Sequence, residues 1–439
     1  MTLFGMRGTD DWATDERPKE WKEQILYYKP NGMAPITALL SKMKKEKATD
    51  PEYNWWTKGL PTMRGTITGR YTDSDLSISY TSGAVAGSVL YFKMTEADSG
   101  FFRSGHQVTL RDASDLTTDV IGKVTDRTVN GASSYLTVKL LEADDNSTNS
   151  HDLSDADTIL IAGNINSEGS GMPDALTEDP TKWYNYTQIF KTPFEISGTA
   201  MQTKLRTNPA YYQRIKMETL EKHSIEMENA FMWGVPSEGT GTNGLPERTT
   251  LGLIPAIRGG YTGQGGSSGT VSNYATESDW SGQSWLSGGE DWLDTQLEIC
   301  FRYGSSDKLA LCGSGALLAL NKIVKNGGDF AFGPTTTVYG IKIREFITAL
   351  GSIYLMTHPL FSLEATTRDI MVIFEPENMI YKYLQNRDTQ FVGETIGKTN
   401  TGYTSRDGIK EQFLTEAGLK YKLPLAWAYL TGFGDANSA

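Results

Sequence analysis

One helical stretch, opening at Asn208-Pro209 and stopped by Gly234 and Pro236, constrains this chain more than any other segment. Asparagine is a favoured N-cap, and proline suits the first helical position because the N–H it lacks would have no partner there. The roughly 25 residues that follow, to Trp233, make a rod of about 37 Å. Met217, Leu220, Met227 and Phe231 mark an apolar stripe, while Arg214, Glu218, Glu221, Lys222 and Glu228 supply a charged surface. A long, half-buried spine follows from that pattern.

Upstream the hydrophobic period changes to two. Val89-Leu-Tyr-Phe, Gln107-Val-Thr-Leu, Val120-Ile-Gly-Lys-Val-Thr and Tyr135-Leu-Thr-Val-Lys-Leu read as short strands between turns, and Asn130-Gly131 signals a hairpin because both turn positions favour positive φ. We expect a small antiparallel β-barrel or sandwich over 81–163, inserted in a larger fold, with Glu142 to Ser150 as an exposed polar loop. Residues 164–202 lack a core pattern and end in Trp183-Tyr-Asn-Tyr-Thr-Gln-Ile-Phe190. A long hairpin projecting from the body fits, and its aromatics then need a neighbour to cover them.

Downstream of the glycine-rich stretch Gly259 to Gly269 the pattern alternates. A helix over Asp291–Tyr303, an apolar strand over Lys308–Cys312, a helix over Ser314–Lys325 and strands near Ile341, Ile353 and Met371 indicate a mixed domain, making the chain α+β overall. At 439 residues it exceeds the size at which one core keeps growing, so two or three subdomains are expected. The first 80 residues carry Trp12, Trp21, Trp55 and Trp56 but little core of their own. Pro35 to Met43 has helical spacing; an arm crossing to another subunit and a helix packed on its own chain both fit.

Motifs for chemistry are sparse. Walker A, HExxH, GxSxG and EF-hand patterns are absent, and Gly313-Ser-Gly-Ala reads as a tight strand-to-helix turn. Four histidines, His106, His151, His223 and His358, leave few metal candidates; His223 and Glu226 could share a helix face but read better as a surface contact. Asp73/Asp75 and Asp155/Asp157 could meet a cation but read better as turn caps, Glu375 and Glu377 read as structural carboxylates, and Lys42, Lys44, Lys45 and Lys47 could touch DNA or an acidic neighbour but read better as a solvated helix end. Cys300 and Cys312 form no metal or redox spacing and read as reduced core residues. No catalytic residue, cofactor or metal is assigned, and no apolar run reaches the roughly 18 residues of a membrane span.

Several separated segments carry a family resemblance. They are Ala34 to Met43 followed by Asp50-Pro-Glu-Tyr-Asn-Trp-Trp56; Lys182-Trp-Tyr-Asn-Tyr-Thr-Gln-Ile-Phe-Lys-Thr-Pro-Phe194; Thr250-Leu-Gly-Leu-Ile-Pro-Ala-Ile257; Thr337 to Phe361; and Asp407-Gly-Ile-Lys-Glu-Gln-Phe-Leu-Thr-Glu-Ala-Gly-Leu419. In this order they resemble the major capsid proteins of tailed phages with the Hong Kong 97 type fold, in the family described for phage SU-ten. The resemblance implies an N-terminal arm over 1–80, an extended loop over 164–202, a spine helix opening the peripheral domain over 203–250, an axial domain over 251–338, and remaining axial and peripheral strands over 339–439. The β insertion departs most from the minimal fold; shell reinforcement and outer decoration are both open roles for it.

The function implied is a self-assembling shell of hexamers and pentamers, with a portal protein at one vertex, a scaffold and a cement or decoration protein as further partners, and double-stranded DNA touched without sequence specificity. The implied location is the virion capsid, assembled in the bacterial host cytoplasm, with no membrane partner. The formal charge of −12 suits a container, since a lining of phosphate clamps would immobilise the duplex. Trp183, Tyr184, Tyr186, Ile189, Phe190, Trp12 and Trp21 are the expected intersubunit contacts. No acceptor constellation for a lysine to asparagine crosslink is recognisable, and the start at Met1 leads us to expect no cleaved N-terminal scaffolding segment. Two rivals are an encapsulin-like compartment and a β-rich carbohydrate-binding or hydrolytic protein; an export signal, which the latter would normally carry, is not seen in the N-terminal sequence.

Overall fold

The computed structural model describes residues 44–59, 63–113, 119–144, 152–177, 179–203, 211–259, 269–327, 336–338, 341–395 and 408–437. They fall into two compact units: residues 58–180, and the chain on either side of that segment. Trp12, Trp21, the expected Pro35–Met43 helix and the Asn208-Pro209 cap lie outside the described residues.

The chain enters the description through β1 (Lys45–Ala48) and β2 (Glu52–Thr57). The 58–180 unit then holds β3 (Arg64–Tyr71), β4 (Val89–Met94), β5 (His106–Arg111), β6 (Asp119–Thr128), β7 (Tyr135–Leu140) and β8 (Thr158–Asn164). These close into a barrel in the order β3-β4-β7-β6-β5-β8, with β8 pairing back to β3. Every pairing is antiparallel, and alternate residues such as Leu90, Phe92 and Met94 fill the interior. Closure leaves no unpaired edge. Between β6 and β7 the expected two-residue turn is replaced by a wider one. Gly131 has φ 51°, but Asn130 sits at −150° and donates its N–H to Ser134 Oγ at 2.9 Å, so only one of the two positions uses left-handed backbone.

The second unit continues with β9 (Thr181–Tyr186), β10 (Gln188–Ser197), the spine helix Tyr211–Trp233, a ribbon of β11 (Ser237–Thr240) and β12 (Pro246–Thr249), and β13 (Thr270–Asn273). Helix Trp285–Phe301, β14 (Asp307–Cys312) and helix Ser314–Gly327 follow. The last strands are β15 (Thr336–Val338), β16 (Ile341–Ile347), β17 (Ser352–Thr357), β18 (Met371–Phe374), β19 (Met379–Leu384), β20 (Gln390–Thr395), β21 (Gly408–Tyr421) and β22 (Ala428–Thr431).

A seven-stranded mixed sheet, ordered β13-β22-β18-β14-β17-β16-β15, lies between two cores. Along β14 the apolar run splits by parity: Leu309 and Leu311 enter one core, Ala310 and Cys312 the other. Burial on both faces is why the strand reads as continuously apolar. A second sheet, β1-β19-β21-β10 with β20 also on β21, carries the spine helix.

Two further expectations change in the second unit. Lys45 and Lys47 lie on strand β1, parallel to β19, rather than at a helix end. The hairpin expected over 164–202 does not form between β9 and β10, because Thr187 alone separates them and a reversal needs about two loop residues. Instead β9 pairs with β2 and β10 with β21.

Candidate functional site

The β2–β9 ladder gathers most of the aromatic residues that the sequence singles out. Its register places Trp55 opposite Trp183, Tyr53 opposite Asn185, and Thr57 opposite Thr181, so the 58–180 unit is inserted between two paired residues. Period two then sends alternate side chains to opposite faces. On the inner face Tyr53 stacks on Trp55 at 6.2 Å and Trp55 on Trp183 at 6.4 Å, the latter pair nearly parallel at 12°.

Hydrogen bonds fix that face to the body. Asn185 Nδ2 donates to the Leu419 carbonyl at 2.7 Å, and its Oδ1 accepts the Leu251 N–H at 2.8 Å. Tyr53 Oη donates to the same Leu419 carbonyl at 2.9 Å, and Tyr421 Oη to the Leu251 carbonyl at 2.8 Å. Burial pushes both phenols well above their ordinary pKa, so they remain donors. Gly418 is required where they converge, since a Cβ there would stand 2.5 Å from Tyr53 Oη and 2.6 Å from the Tyr186 carbonyl.

The outer face carries Asn54, Trp56, Lys182, Tyr184 and Tyr186. Trp56 is 61% exposed, whereas Trp183 is 3% exposed. Tyr184 and Tyr186 are half-buried and meet edge to face at 5.5 Å. Of the residues expected at subunit contacts, Trp183 and Phe190 are therefore covered by their own chain, Phe190 by Phe231 at 5.9 Å. Ile189 is 47% exposed. Trp56 was not among the expected contacts; the alternation in Glu52-Tyr-Asn-Trp-Trp-Thr57 is the signal that separates it from Trp55.

The spine helix departs from its expected stripe. Met227 and Phe231 are buried, but Met217 and Leu220 are exposed, and the buried face includes Thr219, His223 and Glu228. His223 is enclosed, with Nδ1 2.9 Å from Thr192 Oγ1 and Nε2 2.8 Å from Thr415 Oγ1. It is thus a buried tether and not a surface contact. Burial lowers its pKa, partly offset by Glu226, which hydrogen-bonds Thr192 at 2.6 Å. His358 Nε2 meets Glu228 Oε1 at 3.0 Å, with both side chains fully out of solvent.

Several of the remaining polar candidates have local partners, while His151 lies outside the described residues. Glu375 is buried against Lys308 at 2.7 Å, accepts the Ser305 N–H at 2.7 Å and the Asn378 amide, while Glu377 is exposed; the two do not face one cleft. Asp73 accepts from Ser77 and from the Ile78 N–H at 2.8 Å, and Asp157 accepts the Ala113 N–H at 2.8 Å. Gly313 makes the strand-to-helix turn, where a Cβ would lie 2.3 Å from the Arg368 carbonyl. Glu46 gathers Lys44, Lys382 and Lys420 at 3.6, 3.2 and 3.7 Å. Burial raises its pKa, but these lysines outweigh it and hold the carboxyl below its usual range. Among the described residues no cluster of histidine, cysteine and carboxylate side chains could hold a metal, and no helix is long and apolar enough to cross a membrane.

A family model described as SU10 major capsid protein matches residues 8–434. The major capsid protein of Pseudomonas phage PaMx41 is 20% identical over 434 residues, covering 95% of this chain and 93% of that protein. Among solved structures, that of Mycobacterium phage Cain matches with 8% identity and a TM-score of 0.42, covering 99% of this chain and 96% of its own. That of Microbacterium phage Oxtober96 matches with 9% identity and a TM-score of 0.42, covering 94% and 96%.

Proposed function

Because the chain belongs to the SU10 major capsid protein family, and is thus the major capsid protein of a phage, we propose that it closes as hexamers and pentamers into an icosahedral shell around double-stranded DNA. The observation that carries this is the extent of the family match, residues 8–434, which spans nearly all of both units. The family is a structural one and not a class of enzymes.

In the Hong Kong 97 plan, the spine helix with the β1-β19-β21-β10 sheet corresponds to the peripheral domain. The seven-stranded sheet with its two helices supplies most of the axial domain. The β2–β9 ladder corresponds to the root of the extended loop, and the barrel is inserted where that loop would turn. Its outer face, with Trp56, Tyr184, Tyr186 and the nearby Ile189, is the contact we assign to the next subunit. An exposed tryptophan beside two tyrosines is costly to leave in water and is covered at little entropic cost by a preformed neighbour. Many such contacts of modest strength, repeated by symmetry, add up to a stable shell. Portal, scaffold and cement proteins complete the proposed partner set, with DNA touched without sequence specificity.

The test is to produce the full chain in bacteria, isolate particles and assay their nuclease-protected nucleic acid, with and without the phage's other head proteins. Closed icosahedral particles support the assembly, and DNA in heads made with the full set supports the genome role. Persistent monomers in both settings, or particles that carry an enzyme cargo and no DNA, would contradict it.

A further inference from the structure

The helices Trp285–Phe301 and Ser314–Gly327 share one core on the seven-stranded sheet, joined by Trp285 Nε1 donating to the Ala319 carbonyl at 3.0 Å. Each turns a stripe of one charge sign to solvent. On the second helix Leu318, Lys322 and Lys325 recur at helical spacing and are exposed, and with Arg368 and Phe433 they line a groove. On the first helix Leu286, Asp291 and Asp294 are exposed. Among the described residues, none of these five charged side chains has an opposite charge within ion-pair distance, whereas Arg302, Arg248 and Arg214 all do, on Glu298, Glu238 and Glu218. Partial burial, and then repulsion from Asp291, push the Asp294 carboxyl up.

A charged stripe is ordinarily solvated surface. These two are set apart by opposite sign, by matched spacing and by their leucines. Asp291 and Asp294 stand three residues apart on one helix, as do Lys322 and Lys325 on the other, so both pairs are about 5–6 Å apart and can engage in one register. Leu318, 56% exposed, lies one turn ahead of Lys322, and Leu286, 53% exposed, lies about two turns ahead of Asp294. Two different patches that complement each other but do not meet within a chain generate a head-to-tail contact, and a head-to-tail contact with a closing rotation generates a ring.

We propose that the groove at Lys322, Lys325 and Arg368 takes the Asp291–Asp294 face of a second copy of this chain, with Leu286 and Leu318 packing beside the ion pairs, so that these faces join neighbours within one capsomer. The inference rests on the shell reading above and names the contact by which its rings close.

Charge reversal with rescue tests it on the full chain. Lys322→Glu/Lys325→Glu/Arg368→Glu and Asp291→Lys/Asp294→Lys are each expected to cut the yield of closed particles on the order of tenfold or more, because like charges then face each other. The variant with both sets combined recovers particles, and thermal melting of the unassembled chains stays near that of the natural protein. Particle yields unchanged by either reversal overturn the proposal while leaving the shell reading intact. Loss in both without recovery in the combination overturns it as well, the two faces then meeting other partners. If the natural chain forms no particles even with the phage's other head proteins, the shell reading fails and takes the proposal with it.

Discussion

Lys308 Nζ lies 2.7 Å from Glu375 Oε1, with the lysine side chain fully and the glutamate almost fully out of solvent. The ammonium also donates to the Ala426 and Tyr303 carbonyls at 2.9 and 3.2 Å, so all three of its protons are used. Such a pair adds little net stability over an apolar equivalent, but breaking it strands a charge. Lys308→Met is therefore expected to destabilise the unassembled chain by about 3–5 kcal/mol. Denaturant unfolding checks this, and Lys308→Met/Glu375→Leu should recover part of the loss. A neutral single variant would mean the site is wetter than it looks.

The stacked and exposed tryptophans should separate cleanly. Trp183→Ala opens a cavity against Trp55 and removes a bond to Thr57 Oγ1 at 2.8 Å, so a loss of about 3–5 kcal/mol in chain stability is expected. Trp56→Ala touches no core, and its cost to the unassembled chain should stay within about 0.5 kcal/mol while particle yield falls. Melting of unassembled protein beside sedimentation of particles distinguishes the two effects.

His223 predicts a pH dependence of one sign. Its folded pKa is lowered, so below the ordinary value of about 6.5 the unfolded chain binds more protons than the folded one. Stability is then full above that value and declines as pH falls below it. His106, lowered by burial and then by Arg103, acts in the same direction. Melting temperatures at about pH 7.5 and about pH 5.5 should differ less in His223→Gln than in the natural chain. An equal difference would remove His223 from the account.

The barrel should be separable. Thr57 and Thr181 are paired, so replacing residues 58–180 with a two-residue Asn-Gly turn joins the strands at a natural hairpin position. The shortened chain is expected to keep its fold and cooperative unfolding, and the excised barrel, with a core of its own around Phe92, Phe102 and Val108, should fold alone. Circular dichroism and amide exchange on both pieces check this. A molten shortened chain would show that the insertion is structural for the body.

Legibility in the sequence followed locality. Strands β4 to β7 were readable because period two and turn residues act over a few positions, while β3, interrupted by Gly65 and Gly69, was missed. The long helix was readable in extent, yet its buried face was not. Thr192 and Thr415, which bind His223 on the buried face, come from strands outside the helix, and Met217 lies in solvent. Pairing of β9 with β2 was hidden for the same reason, with the whole barrel between the two strands. Trp56 could have been found, since alternation within six residues already assigns it the face opposite Trp55.

A cryo-electron microscopy reconstruction of assembled particles bears most directly on the central claim. The account predicts closed icosahedral shells in which Trp56, Tyr184, Tyr186 and Ile189 are covered by an adjacent subunit while Trp183 and Phe190 keep their intrachain partners. A closed shell that leaves the outer face of the β2–β9 ladder in solvent would contradict it.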